Sequence, residues 1–219
     1  MAKQIKWLVV ASMAMGLVFS LFTFTLFKES RGYAQYHSQS LMNDTSHLIG
    51  SFQRKQEVLQ QILQTRTLTQ VQVDLIREDS YTLINYYEDY NRLAMNLDRY
   101  ENKGYSIAEA AFVTEAVFNR KIAEIQETDN AKIKLDNEFL EKVEFLAAFN
   151  ERCLHTLGKH VRGFVITDTS VETTEEREEL SENGIKEDFW VDILKRLDRE
   201  AFEKQRDLEM LVELRSKRF

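Results

Sequence analysis

Residues 133–164 read IKLDNEFLEKVEFLAAFNERCLHTLGKHVRGF. Ile133, Leu140, Ala147, Leu154 and Val161 recur at seven-residue intervals, and Val143, Leu157 and Phe164 fill three of the positions between them. Apolar residues at such spacing line one face of a helix, so the stretch predicts a long helix with a continuous seam. Asp136 and Asn150 are the polar exceptions on that row. A seam of this length has to be covered. Two helices of similar length precede it through short connections, which favours an antiparallel bundle over an extended coiled coil.

The first of those helices is expected from about residue 70 to about 102. Ile76, Leu83, Tyr87, Tyr90, Ala94 and Leu97 form its stripe, and Thr69-x-x-Gln72 is a capping box that satisfies its first N–H groups. Lys103-Gly104 is expected to end it, with the glycine in the left-handed conformation. Ser106-x-x-Glu109 is a second capping box and starts a helix that runs to about residue 127, before Thr128-Asp129-Asn130. Together these place a helical bundle over residues 67–166, with no segment that requires a strand.

Outward from the bundle, residues 28–66 read as a juxtamembrane helical stalk carrying Leu41, Leu48, Phe52, Leu59, Ile62 and Leu63 at helical spacing. Residues 167–186, TDTSVETTEEREELSENGIK, read as an acidic exposed linker with a short helical piece. Residues 187–219 read as an amphipathic helix with a basic tail. Its seam runs through Trp190, Leu194, Leu197, Leu208 and Leu211, and is weakened by Lys204 and Arg215. That weakening makes those five apolar residues the candidate partner-binding face.

At the other end, Trp7 to Phe27 is an uncharged run, WLVVASMAMGLVFSLFTFTLF, behind a short N-terminal tail of residues 1–6. About 20 apolar residues span a bilayer as a helix. The run therefore predicts a single transmembrane anchor, with Ser12, Gly16 and Ser20 on one face as a candidate helix-packing stripe. Lys3 and Lys6 put the N-terminus in the cytoplasm of a plasma or inner membrane and the helical domain outside it, in a periplasm-like space.

Composition agrees with helices. The chain has 219 residues, no proline and 7 glycines. Average usage would give about 11 and about 15. A sandwich or barrel needs more turn residues than that. Its 43% hydrophobic content excludes a disordered chain, and its net charge of −7 argues against nucleic acid as a partner. The one cysteine, Cys153, precludes an internal disulfide.

No arrangement of residues points to catalysis, a cofactor or a metal. His155 and His160 lie five apart and do not share a helix face, and neither H-E-x-x-H nor E-x-x-H occurs. Six of the eight tyrosines fall between Tyr81 and Tyr105. Tyr87 and Tyr90 belong to the stripe, whereas Tyr86 and Tyr100 point elsewhere and form a candidate recognition groove. The stretches Leu83-Ile-Asn-Tyr-Tyr-Glu88 and Lys103-Gly-Tyr-Ser-Ile107 resemble a family of uncharacterised bacterial membrane-anchored helical proteins. That resemblance implies a helical fold and no particular activity.

The sequence therefore predicts an all-α protein: one N-terminal transmembrane helix, a helical stalk, a three-helix antiparallel bundle and a C-terminal amphipathic helix. The expected function is non-catalytic. The chain would be an assembly or scaffold subunit of a membrane or envelope complex, with the bilayer and a protein partner, or a second copy, as its contacts. The alternative is a membrane-anchored sensory or ligand-binding module that acts through a separate signalling protein.

Overall fold

A computed structural model describes the backbone of residues 2–128, 132–167 and 170–213, and the side chains of residues 15–123, 132–167 and 170–212. It is 82% helical. The helices are α1 (Ala2–Thr65), α2 (Gln70–Asn96), α3 (Ile107–Thr128), α4 (Asn137–His160), α5 (Glu176–Asn183) and α6 (Phe189–Glu213). Two short antiparallel ladders join them. β1 (Thr67–Thr69) pairs with β2 (Lys132–Lys134), and β3 (Phe164–Ile166) pairs with β4 (Val171–Thr173).

The helix starts follow their sequence signals. Thr69 Oγ1 accepts from the Gln72 N–H while Gln72 Oε1 accepts from the Thr69 N–H. Ser106 and Glu109 do the same for α3. Asp136 caps α4 by accepting from the Phe139 N–H at 2.7 Å, which accounts for one polar exception on the seam. The seam is shorter than its sequence pattern, because Ile133 lies in β2 and Phe164 in β3.

The α2 terminus differs from expectation. The helix stops at Asn96, and Asp98, not Gly104, takes the left-handed conformation at φ 53°. The Asp98 N–H donates to Met95 O and the Arg99 N–H to Ala94 O. These two bonds make a Schellman motif and satisfy the last carbonyls before Gly104 is reached.

Residues 28–66 are not a stalk outside the bundle. Ser38, Leu41, Thr45, Leu48, Phe52, Lys55, Leu59 and Ile62 follow three- and four-residue steps, and all are buried. This half of α1 packs against α2, α4 and α5. The bundle is thus built on α1 through α4, and α6 closes it against α2, α3 and α4. Trp190, Leu194, Leu197 and Leu208 are buried in that contact and Leu211 is half-buried. The seam of α6 is a core seam, so the candidate partner-binding face is covered by the bundle. Lys204 is compatible with it because its amine reaches Asp207 at the edge. Arg215 lies outside the described residues.

The acidic segment is also part of the body. Leu180 of α5 and Ile185 in the following 3-10 turn (Gly184–Lys186) are buried, and the Ile185 N–H donates to Ser38 Oγ of α1 at 3.0 Å. Arg99 donates to the carbonyls of Ile185, Lys186 and Glu187 and stacks over the Trp190 ring. Gly163 enters β3 at φ 82°, where an added Cβ would sit 2.7 Å from Met42 Cε.

The expected membrane anchor is not borne out. Among the described residues no helix is long and apolar enough to cross a membrane. The apolar residues whose side chains are described run from 15 to 27. Residues 7–14, including Ser12, lie outside the described side chains. With the anchor falls the reading of the chain as a single-pass membrane protein, in both its scaffold and its sensory form.

Candidate functional site

Three features outside ordinary packing could carry function. The first is the tyrosine cluster, organised around buried Asp198 of α6. Its Oδ2 accepts from Tyr87 OH (3.0 Å), Tyr100 OH (2.8 Å) and Asn102 Nδ2 (2.9 Å), and its Oδ1 accepts from the Ile107 N–H (2.9 Å). One carboxylate thus ties α6 to α2, to the α2–α3 loop and to the first turn of α3. Burial raises the Asp198 pKa from its ordinary 3.8, against the lowering effect of the Ile107, Tyr100 and Tyr87 donors. Burial, followed by the neighbouring carboxylate, holds Tyr100 protonated well above its usual range.

Tyr86 and Tyr90 belong to a separate group facing α1. Tyr90 OH donates to Asp44 Oδ2 at 2.6 Å, Tyr86 OH lies 3.3 Å from Thr45 Oγ1, and the two rings pack 4.6 Å apart. Tyr86 is therefore in the core. Tyr100 is half-buried and borders an open depression with Met95, Asp98, Arg99 and Glu101. The two tyrosines do not line one groove. Their polar tips serve to cross-link helices.

The second feature is Lys55. It occupies a core position of the α1 seam, with its amine 5.2 Å from the centre of the Phe52 ring. Desolvation lowers its pKa from 10.5, partly countered by Asp79 of α2 and Cys153 of α4. Asp79 pairs with Arg54 at 2.5 Å. Burial still raises the Asp79 carboxyl, and burial pushes the Cys153 thiol up to about 12. Lys55 borders an enclosed cavity of about 10 Å³ where α1–α4 converge, with Thr114, Phe149 and Asn150 among its walls. That is room for one water. Asn150, the second polar exception of the α4 seam, donates to Phe52 O and Gln56 Oε1, so it joins α4 to α1. Lys55 does not stand out in the sequence as a site residue. The signal was present in the seam of α1, where a lysine stands between Phe52 and Leu59.

The third feature is the projecting end of α1. Met15, Leu17, Val18, Phe19, Leu21, Phe22, Phe24, Leu26 and Phe27 are between 49% and 72% exposed. The hydroxyls among them turn inward. Ser20 Oγ donates to Gly16 O, Thr23 Oγ1 to Phe19 O and Thr25 Oγ1 to Leu21 O, each at 2.9 Å. Of the small-residue stripe, Gly16 and Ser20 lie here, and nothing stands within 4 Å of a Cβ built at Gly16.

No group of three or more metal-ligating side chains occurs among the described residues. No protein-family model, curated protein or solved structure matches the chain.

Proposed function

We propose that this chain is a non-catalytic helical protein that works by burying the projecting end of α1 against an apolar helix of a protein partner. The observation that carries the reading is the exposed apolar surface of residues 15–27. Contiguous apolar patches above a few hundred Å² are rare on monomers and mark interaction sites. Nine large side chains at these exposures exceed that. The inward-bonded hydroxyls leave a surface with no unsatisfied donor, suited to a dry contact. The cavity beside Lys55 has room for a single water, so that buried amine faces no substrate-sized space.

The test is a photo-crosslinker at Phe22 in the full chain, activated in its native cell. The expected result is a discrete protein adduct. Adducts with lipid alone would overturn the reading.

A further inference from the structure

One stripe of the projecting helix does not end with the apolar run. Met15, Phe19, Phe22, Leu26, Tyr33 and Tyr36 are spaced by four, three, four, seven and three residues, which is a heptad pattern with Glu29 as its one polar member. All six are strongly exposed, Tyr33 and Tyr36 at 68% each. Between residues 28 and 36 the helix carries Lys28, Arg31 and Gln35 off the stripe, so its other faces there are polar. Ala34 and Ser38 turn toward the bundle. Whatever covers Tyr33 and Tyr36 must therefore follow a single stripe, as a partner helix does.

We infer that the occupant of this stripe is a second copy of the same chain, paired helix to helix along residues 15–36. The inference rests on the interaction reading above and names its partner. Two observations favour a second copy. The first is area: six side chains of this size, about two-thirds exposed, offer roughly 700–800 Å² per chain, close to the ~800 Å² per partner of a stable interface. The second is shape. The stripe carries large knobs at Phe19 and Phe22 beside the open surface at Gly16, so one copy supplies both the knobs and the space that receives them. Identical surfaces that fit each other in this way close into a two-fold pair.

The experiment is sedimentation equilibrium of the full chain, alone and with vesicles of neutral phospholipid, for three proteins. The parent chain is expected to be a dimer. Phe22→Glu places a charge on the stripe and is expected to weaken the dimer at least tenfold. Leu17→Glu places the same charge on the opposite face, two residues beyond Met15, and is expected to leave the dimer intact. Both positions lie outside the bundle core, and circular dichroism reports that each variant is folded. A monomeric parent overturns the inference. If the crosslinker at Phe22 then still yields a single different protein, the interaction reading survives without it. If the parent floats with the vesicles, both fail. Equal losses in Phe22→Glu and Leu17→Glu also overturn the inference, since they would mean that no particular face is paired.

Discussion

Replacing Asp198 by alanine removes an acceptor shared by four donors on three other segments. A hydrogen bond to a charged group contributes ~1.5–3 kcal/mol net, and a buried donor left without a partner costs ~1–3 kcal/mol. Tyr100 and Asn102 lie close enough to solvent to find water, whereas the Ile107 N–H and Tyr87 OH are enclosed. The two enclosed donors set the loss at about 3–5 kcal/mol, and relief of the buried charge returns part of it, leaving about 2–4 kcal/mol. For a chain of 219 residues this lowers Tm by about 10 °C. Asp198→Asn keeps the shape and one acceptor oxygen, and so should lose about half as much. Urea unfolding followed by far-UV circular dichroism measures both. The pH dependence adds a second readout. Because burial raises the folded pKa of Asp198 above 3.8, its effect on stability is most favourable below that pH and declines as pH rises through the folded value. Asp198→Ala should lose that slope. A loss below about 1 kcal/mol, the size of one neutral hydrogen bond, would refute the view that this carboxylate joins α6 to the bundle.

Other substitutions test the remaining features. Lys55→Met should stabilise the fold by ~1–3 kcal/mol at neutral pH, because it removes a desolvated amine from the core. In the parent, the unfolded lysine holds its proton up to about 10.5 and the folded one releases it earlier, so stability should rise with pH through that window. The variant should lack this rise, and denaturant titrations from neutral to alkaline pH compare the two. Gly163→Ala should cost ~1–3 kcal/mol, since φ 82° disfavours a side chain and the new methyl would meet Met42 and the Arg177 backbone. Thermal unfolding measures it, and an unchanged Tm would contradict the placement. Cys153 is fully buried with its pKa near 12, so the folded protein should resist a thiol reagent that labels the chain rapidly in denaturant.

The parts of the fold that sequence made legible are those set by local chemistry. The capping boxes at Thr69 and Ser106 act over three residues and form as their sequences require. The seam of α4 is readable because Leu140, Ala147 and Leu154 keep the seven-residue step, with Val143 and Leu157 between and beyond them. The parts that escaped depend on distant neighbours. Lys55 reads as a break in a seam until α2 and α4 close around it. Lys204 similarly suggests a solvent-facing α6, yet its amine turns out to Asp207 while Trp190, Leu194 and Leu208 go in. Gly104 is the natural place to end α2, but the backbone turns six residues sooner at Asp98. Thr67–Thr69 forms a strand because residues 132–134 pair with it, a partner more than sixty positions away. The tyrosine cluster was visible as a cluster, while its purpose was not: the acceptor that organises Tyr87 and Tyr100 sits on α6, about a hundred residues downstream.

α1 runs without a break from Ala2 to Thr65, about 96 Å of helix, and among its described side chains those from Ala34 onward are held by the bundle. It is therefore a shaft with one end clamped. The angular phase of everything on the free end is fixed by the clamp, because a helix resists twisting far more than a loop would. One residue inserted between Lys28 and Gln35 would turn the stripe through Met15, Phe19 and Phe22 by roughly 100° relative to the body, and seven would bring it back to within about 20°. The length of that segment can drift in whole heptads, but not one residue at a time.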